Sequence, residues 1–103
     1  MKVIELAKAE KVPFNLDGRK MFVDQRVEII HLTLGEGEVL EKHTNPFDVA
    51  IYILEGEGVV ETDVESACVM KDFCVEIKAG TPRGVINTSS NKLRLLVVKI
   101  FDR

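Results

Sequence analysis

Long hydrophobic runs, blocks of one charge and leader-like segments are missing from this chain, and each absence excludes a class of protein. No apolar run approaches the ~20 residues that a membrane-spanning helix needs, and the first residues, MKVIELAKAEK, are too charged to form a signal-peptide core. The net charge of -3 is carried by interspersed acids and bases without a basic block, which argues against nucleic-acid binding. We therefore expect a cytoplasmic protein with neither a membrane nor a nucleic acid as partner.

Residues for covalent or metal chemistry are also scarce. Cys68 and Cys74 lack the CxxC spacing and the histidine partners of a zinc site, and because free cysteines are usually buried we expect both to be buried or half-buried thiols. Ser66, Ser89 and Ser90 lie in turn contexts, and neither a glycine-rich phosphate loop nor a GxSxG elbow is present. No nucleophilic triad can be assembled.

What the chain does contain indicates one all-β domain. Its 103 residues, 46% hydrophobic and 30% charged, suit a single globular domain. Turn-forming residues recur roughly every 8 to 12 residues between short segments rich in β-formers, which is typical of an antiparallel sandwich or barrel. The GEG sequence at residues 56–58 predicts a tight hairpin. The predicted strands are residues 21–25, 27–34, 39–43, 49–54, 59–64, 67–70, 73–77, 84–87 and 92–101.

The first part of the chain is less regular. Residues 1–11 predict either a short helix or an extended arm. Pro13 and the cluster of Asn15, Asp17 and Gly18 predict a turn before the first regular strand. We therefore divide the chain into an N-terminal arm with the first strand or strands, residues 1–27, and a barrel, residues 28–103.

Three larger side chains in the predicted strands have expected environments. His31 lies in the middle of a strand among apolar neighbours, and we expect it to be hydrogen-bonded or half-exposed. Tyr52 and Phe73 are expected in the core or, as the less favoured alternative, in the wall of a pocket.

Two stretches carry a resemblance to a known family. The stretch GEVLEKHTNPFDVAIYILEGEG places Gly37, His43 and Gly56 at the spacing of the first cupin motif. The stretch DFCVEIKAGTPRGVIN places Gly80 and Asn87 at the spacing of the second. The chain thus resembles a small single-domain cupin of the RmlC-like, double-stranded β-helix superfamily.

The resemblance covers residues 28–101 and implies a fold and an assembly. The fold would be an all-β, cupin-like jelly-roll β-barrel with a short N-terminal helix or a swapped N-terminal strand. Relatives are frequently homodimers that exchange N-terminal strands, so a homodimer is expected here, with residues 1–14 as the exchanged arm.

The metal-ligand positions of these motifs are mostly changed. The second histidine of the first motif is replaced by Asn45, its glutamate by Val49 and the histidine of the second motif by Arg83, so His43 alone remains of four ligands. The second motif also has Asp72 in place of its first glycine. Val49 cannot ligate, and the permanent cation of Arg83 would repel a metal ion. We therefore expect no cofactor.

A rescued metal site is the alternative. Glu41, His43 and Asn45 alternate onto one face of an extended segment, and with Asp48 they could bring oxygen and nitrogen donors to one point. A transition metal would then bind in spite of the changed motif.

Arg83 is the candidate for binding an anion. In the mouth of a barrel its planar fork suits a carboxylate or a phosphate. Three placements are open: pairing with Asp48, Asp72 or Glu41, pairing with an anionic small molecule, or solvation at the rim.

His43 is the one candidate catalytic residue. Histidine exchanges protons near neutral pH, but no paired acid or nucleophile is visible around it, and a structural, hydrogen-bonded histidine is the alternative. The candidate ligand-binding residues are His43, Asn45, Asp48, Arg83 and Glu41, with apolar walls from Val49, Ile51, Ile53 and Phe73.

These residues support three functional hypotheses. The first is a cupin-fold protein that binds a small, anionic molecule without a metal. The second is a small enzyme, either a metal-dependent isomerase or oxygenase or a metal-free acid/base catalyst using His43. The third is a dimeric structural or regulatory module with a vestigial pocket. The sequence leaves open whether the protein is an enzyme.

Overall fold

Ten strands and one 3-10 helix build the computed structural model, which describes residues 1–101. Every strand pair is antiparallel and every predicted segment overlaps a strand, so the all-β jelly-roll prediction is confirmed. The helix spans Leu6–Lys8, and the strands are β1 (Glu10–Lys11), β2 (Asp17–Val23), β3 (Val27–Leu34), β4 (Val39–His43), β5 (Asp48–Glu55), β6 (Glu57–Thr62), β7 (Ser66–Met70), β8 (Cys74–Ile77), β9 (Arg83–Ile86) and β10 (Leu93–Ile100).

The strands form two sheets around one core. One sheet has the order β1-β2-β3-β10-β5-β8 and the other the order β4-β9-β6-β7. Along β10, Leu93, Leu95 and Val97 are buried and the residues between them are half-buried, as expected of a strand with one face toward a core. Buried side chains from both sheets meet in a single apolar cluster, which includes the fully buried Ile53 and Val85.

Gly56 marks a corner between the sheets and not a hairpin. β5 pairs with β8 and β10, whereas β6 pairs with β7 and β9, so the predicted hairpin at residues 56–58 is wrong. The chain changes sheets at Gly56, whose φ of +85° lies in the left-handed region that favours glycine. A Cβ atom here would also collide with the carbonyl oxygen of Lys92.

The N-terminal arm is partly helical and partly extended. Its one-turn helix is the only helix in residues 1–101, and no helix in that range is long and apolar enough to cross a membrane. β1 pairs with β2, which begins at Asp17, inside the predicted turn cluster. That part of the turn prediction is wrong because Gly18 pairs with Leu32 in the β2–β3 ladder. The arm pairs within its own chain here, while the strand-swapped dimer and the division at residue 27 stay predictions.

Asn87, the last residue of the second motif, ties three chain segments together. Its side chain is 2% exposed, and its Nδ2 donates to the carbonyl oxygens of Leu34, Gly35 and Asn91 at 2.8 to 3.0 Å. Its Oδ1 accepts from the backbone N–H and the hydroxyl of Ser89, both at 3.0 Å. Because its donors and its acceptor are all used within the chain, this buried amide stabilises the packing of the three segments against one another.

Several predicted core residues lie on the outer surface. Cys68 and Cys74 are exposed, and so are Tyr52 and Phe73, so the predictions of burial are wrong for all four. Tyr52 and Cys74 are partners in the β5–β8 ladder and point away from the core, because the inward positions of β5 are taken by Val49, Ile51 and Ile53. Apolar residue type alone does not show which face of such a strand is buried.

His31 is buried and hydrogen-bonded, as predicted. It is 5% exposed, and its Nε2 lies 3.1 Å from Nη2 of Arg94, which also pairs with Glu55 at 3.1 Å. Burial, followed by the positive charge of Arg94, lowers the pKa of His31. The neutral ring leaves Nε2 as the acceptor that the Arg94 guanidinium needs.

Candidate ligand-binding site

The two motif stretches meet where β4 and β9 pair. His43 ends β4, Arg83 begins β9, and the two residues lie opposite each other in the four-stranded sheet. Opposed side chains of an antiparallel pair share a face, with Cβ atoms about 5 Å apart. Both side chains line one cavity between the sheets, so the two motif positions act at the same place.

An irregularity in β4 decides which of its side chains reach this cavity. The register with β9 shifts between Leu40 and His43, and both residues line the cavity although three positions separate them. Gly84 permits the close approach, because a Cβ there would lie 2.9 Å from the carbonyl oxygen of Leu40. Glu41 is exposed and does not line the cavity, so the prediction that it shares a face with His43 and Asn45 is corrected by this shift.

The ring of His43 has a defined orientation. Its Nδ1 lies 2.9 Å from the carbonyl oxygen of Glu41, and since a carbonyl oxygen only accepts, Nδ1 carries a proton. Nε2 is then the nitrogen that accepts a hydrogen bond from another group when the ring is neutral. Among residues 1–101 no carboxylate lies within ion-pair distance of this ring.

Arg83 is a buried cation without an anionic partner in the described chain. Only 3% of the residue is exposed, so the alternative of a guanidinium solvated at the rim is wrong. No carboxylate of residues 1–101 lies within 4.0 Å of its nitrogens. Burial lowers the pKa of Arg83, and no neighbouring negative charge opposes that effect. Burying such a charge is costly unless something pairs with it.

Asn45 is the polar partner of this guanidinium. With its amide nitrogen donating to the carbonyl oxygen of Thr44 (3.2 Å), its amide oxygen accepts from Nη1 and Nη2 of Arg83 at 3.3 and 2.5 Å. The backbone of Asn45 is fixed by the N–H of Gly80, which donates to its carbonyl oxygen at 2.9 Å. A neutral amide supplies hydrogen bonds but does not cancel the charge of Arg83.

The carboxylates predicted as internal partners of Arg83 are used elsewhere. Asp48 accepts from the backbone N–H of Ala79 at 2.8 Å, and Asp72 accepts from the hydroxyl of Tyr52 at 3.1 Å. The internal-pairing alternative is therefore wrong. Asp72 instead lies in the left-handed region that favours glycine, with a φ of +70° that aspartate tolerates better than most residues.

The cavity beside Arg83 has a volume of about 320 Å³ and is mainly apolar. Val49 and Ile53 lie in the core and Phe73 on the surface, so Ile51 is the one predicted wall residue that lines it. Alternation along β10 would have found Lys99, two positions beyond the inward-facing Val97. The lining residues are Val12, Phe14, Ile30, Leu32, Leu40, His43, Asn45, Ile51, Arg83, Val97 and Lys99.

Transition-metal ligation does not fit these residues. The oxygen of Asn45 accepts from Arg83, Val49 is a buried hydrocarbon, and a cation occupies the fourth motif position. Glu41 and Asp48 do not line the cavity, which leaves His43 as the single good donor there. Within residues 1–101 no three His, Cys, Asp or Glu side chains form a group that could hold a metal ion.

The fold and the two motif positions agree with the comparison to known proteins. Residues 30–99 match the family model described as "Cupin domain". The chain belongs to the cupin family. A search of curated proteins found no significant match.

Solved cupin-like structures resemble the whole chain. TT1209 from Thermus thermophilus is 29% identical with a TM-score of 0.83, covering 97% of each chain. An RmlC-like cupin family protein from Methanocaldococcus jannaschii is 26% identical with a TM-score of 0.82, covering 97% of this cupin and 90% of that chain. The polyketide cyclase RemF from Streptomyces resistomycificus shares the fold at 18% identity and a TM-score of 0.85, covering 100% of this cupin and 81% of that chain.

Proposed function

We propose that this cupin binds a small anionic molecule in the cavity between its sheets, with Arg83 as the anion-binding residue and no transition metal required. The observation that carries the proposal is the guanidinium of Arg83, buried against the cavity without a carboxylate partner in residues 1–101. A bound anion would supply the missing charge where exclusion of water strengthens the pairing.

The neighbouring polar groups suit a binding role. Asn45 holds the guanidinium by two hydrogen bonds, and Gly80 fixes the loop of Asn45, so the cation is oriented before a ligand arrives. His43 presents Nε2 at the same cavity as an acceptor, or as a second donor when protonated. His43 has no acid partner in the described chain that would tune it for proton transfer, which favours binding over catalysis.

The test is the thermal stability of the purified protein against a panel of small carboxylates, phosphate and sulfonates. At least one anion should raise the Tm of the wild type, because a ligand that binds only the folded state stabilises it. Arg83→Met should abolish the response, whereas Arg26→Met, which removes an exposed arginine paired with Asp24, should keep it. An equal response of the Arg83→Met protein, or no response of any form, would contradict the proposal.

Metal content is a second, independent readout. Elemental analysis of the purified protein should show no stoichiometric transition metal, and chelation should leave the anion response unchanged. One metal ion per chain that is lost in His43→Ala would refute the metal-free part of the proposal.

A further inference from the structure

The apolar walls and the charges of the Arg83 cavity indicate the chemical class and the size of the bound anion. We infer that its ligand is a monocarboxylate of about ten non-hydrogen atoms with an apolar body, such as an arylalkanoic or a medium-chain alkanoic acid. This inference rests on the proposed anion-binding function and narrows it to one chemical class.

The charge of the ligand follows from the cations that line the cavity. These are Arg83 and Lys99, and Lys99 is already paired with Glu28, with 3.6 Å between Nζ and Oε1. Both side chains of that pair are mostly buried, at 28% and 20% exposure, so little water screens the pairing. One positive charge is thus left to neutralise, which matches a monoanion better than a phosphate dianion.

The head group follows from the donor geometry. A guanidinium presents its N–H groups in a plane, which matches the two oxygens of a carboxylate. Asn45 uses one oxygen to accept from Nη1 and Nη2 of Arg83, which leaves further N–H groups of the five for a ligand. A tetrahedral phosphate is usually held by several convergent cationic donors or by a glycine-rich loop. Among the described residues that line this cavity, Lys99 is already paired with Glu28, which leaves Arg83 as the one arginine or lysine without an ionic partner, and none is a glycine.

The body of the ligand follows from the walls. Seven of the eleven lining residues are apolar, and they come from the arm, from β3, β4 and β5 and from β10. The hydroxyl groups of a sugar would lose their hydrogen bonds to water against such walls, at a cost that an aliphatic or aromatic body avoids. The seven are Val12, Phe14, Ile30, Leu32, Leu40, Ile51 and Val97.

The size of the ligand follows from the cavity volume. About 320 Å³ corresponds to roughly ten water-sized units at ~30 Å³ each. Phenylacetate and octanoate each have ten non-hydrogen atoms and match this volume, whereas long-chain fatty acids exceed it.

Phe14 lines one side of the cavity, and its substitution tests the contact between the cavity wall and the apolar body of the ligand. It lies in the loop between β1 and β2, where the N–H of Val12 donates to the carbonyl oxygen of Gly18 (2.8 Å) and the N–H of Phe14 to that of Val12 (2.9 Å). A Cβ on Gly18 would come within 2.9 Å of the Phe14 ring, so this glycine allows the ring to settle over the strand. Phe14 is 41% exposed and can be replaced without opening the core.

The experiment compares defined probes by calorimetry on the full chain. Phenylacetate and octanoate are measured beside phenylacetamide, inorganic phosphate and gluconate. Both apolar carboxylates should bind at least tenfold more tightly than the uncharged amide and the two polar anions, because a charged hydrogen-bonded pair is worth about one to two factors of ten.

The variants separate the head group from the body. Arg83→Met should lower the affinity for phenylacetate by about ten- to a hundredfold. Phe14→Ala should lower it severalfold, whereas the control Phe22→Ala, which removes a phenylalanine of similar exposure (47%) outside this cavity, should leave it unchanged. The thermal stability of each variant shows that it is folded.

The outcomes distinguish this inference from the proposed function. If phosphate or gluconate binds through Arg83 and the apolar carboxylates do not, the inference is wrong while the anion site stands. If phenylacetate and phenylacetamide bind equally and Arg83→Met changes neither, both the inference and the anion site are wrong. Absence of binding by all five probes would also overturn the inference.

Discussion

Arg83→Met should make the ligand-free protein more stable, although it removes a residue that we place at the centre of the site. Arg83 is buried without a carboxylate in the described chain, and methionine is an unbranched side chain of related length that fills irregular space well. The cavity beside the side chain also gives the substitution room to settle. The perturbation therefore exchanges an uncompensated charge for apolar packing.

The magnitude follows from two opposing contributions. The effective penalty for burying one ion is several kcal/mol, and the substitution relieves it. Two hydrogen bonds to the oxygen of Asn45 are lost, at about 1.5–3 kcal/mol for bonds to a charged group, and the half-buried Asn45 can regain part of this from water. The lost bonds offset much of the relieved penalty, so the net expectation is a stabilisation of about 1 kcal/mol, which corresponds to about 4–8 °C in Tm for a domain of this size.

Urea unfolding is the suitable assay because urea is uncharged and does not screen Arg83. The midpoint should rise with the slope unchanged, which attributes the gain to stability and not to a different unfolded state. Arg83→Lys keeps the buried charge and should give no gain, and the exposed Arg26→Met should change the free energy of unfolding by less than about 0.5 kcal/mol. A saturating concentration of a bound anion should reduce the difference in unfolding free energy between Arg83→Met and the wild type, because the anion stabilises the wild type but not Arg83→Met.

The opposite result would refute the reasoning. If Arg83→Met lowers the free energy of unfolding by about 1 kcal/mol or more while Arg83→Lys does not, the protein itself compensates the cation. The cavity would then have no need of an anion, and the main support for the proposed function would be lost.

Three further predictions concern the frame of the site. Burial and the charge of Arg94 place the folded-state pKa of His31 below its ordinary 6.5, so the stability that the neutral ring contributes should be complete above pH 6.5 and fall as the pH drops below it. Urea unfolding at pH 7.5 and 5.5 should therefore show a smaller loss of unfolding free energy on acidification for His31→Gln than for the wild type. An equal loss in the two proteins would contradict this. Asn87→Ala should cost about 2–3 kcal/mol, because it removes the bonds that the buried amide donates to the carbonyl oxygens of Leu34 and Gly35 and to the more exposed one of Asn91. A loss below about 1 kcal/mol would show that water replaces the amide. Gly56→Ala should lower the Tm well beyond the decrease caused by Gly37→Ala. Both glycines have a positive φ, but only at Gly56 would the new methyl group collide with the backbone. Equal decreases in Tm would exclude that collision.

The strands were predictable from sequence because their signals are local. The turn residues between the segments and the segments' content of β-forming residues located β3 and β4 to the residue. β1 was missed because two exposed residues, Glu10 and Lys11, carry no such pattern, and their strand depends on backbone pairing with β2. The exposure of Cys74 was missed because burial was inferred from how often free cysteines are buried, whereas Cys74 lies on the edge strand β8, which has few inward positions.

The sequence predicted the positions of the site residues only where strand pairing determines them. The motif spacing brought His43 and Arg83 together because β4 and β9 are neighbours, and residue type had no part in it. Glu41 was assigned to the site from regular alternation, which the register shift between Leu40 and His43 breaks, and Asp48 was assigned because it lies beside Val49 at a motif position. No local pattern could show that Asp48 accepts from Ala79, because that contact joins residues far apart in the chain.

The residues Asn45 and Arg83, which stand at two metal-ligand positions of the cupin motifs, interact with each other. Asn45 lies in the loop after β4 and Arg83 at the start of β9, yet the amide oxygen of Asn45 is positioned to accept from the guanidinium of Arg83. The arginine at a position where the cupin motif has histidine leaves a buried charge at a cost of several kcal/mol. The cation has both an oriented partner and an apolar cavity of ligand size beside it, so the proposed binding role gives a reason for the buried charge that folding alone does not. The stability measurement on Arg83→Met and the affinity measurement on the same variant must then change in opposite directions, and a change in the same direction would show that Arg83 serves the fold.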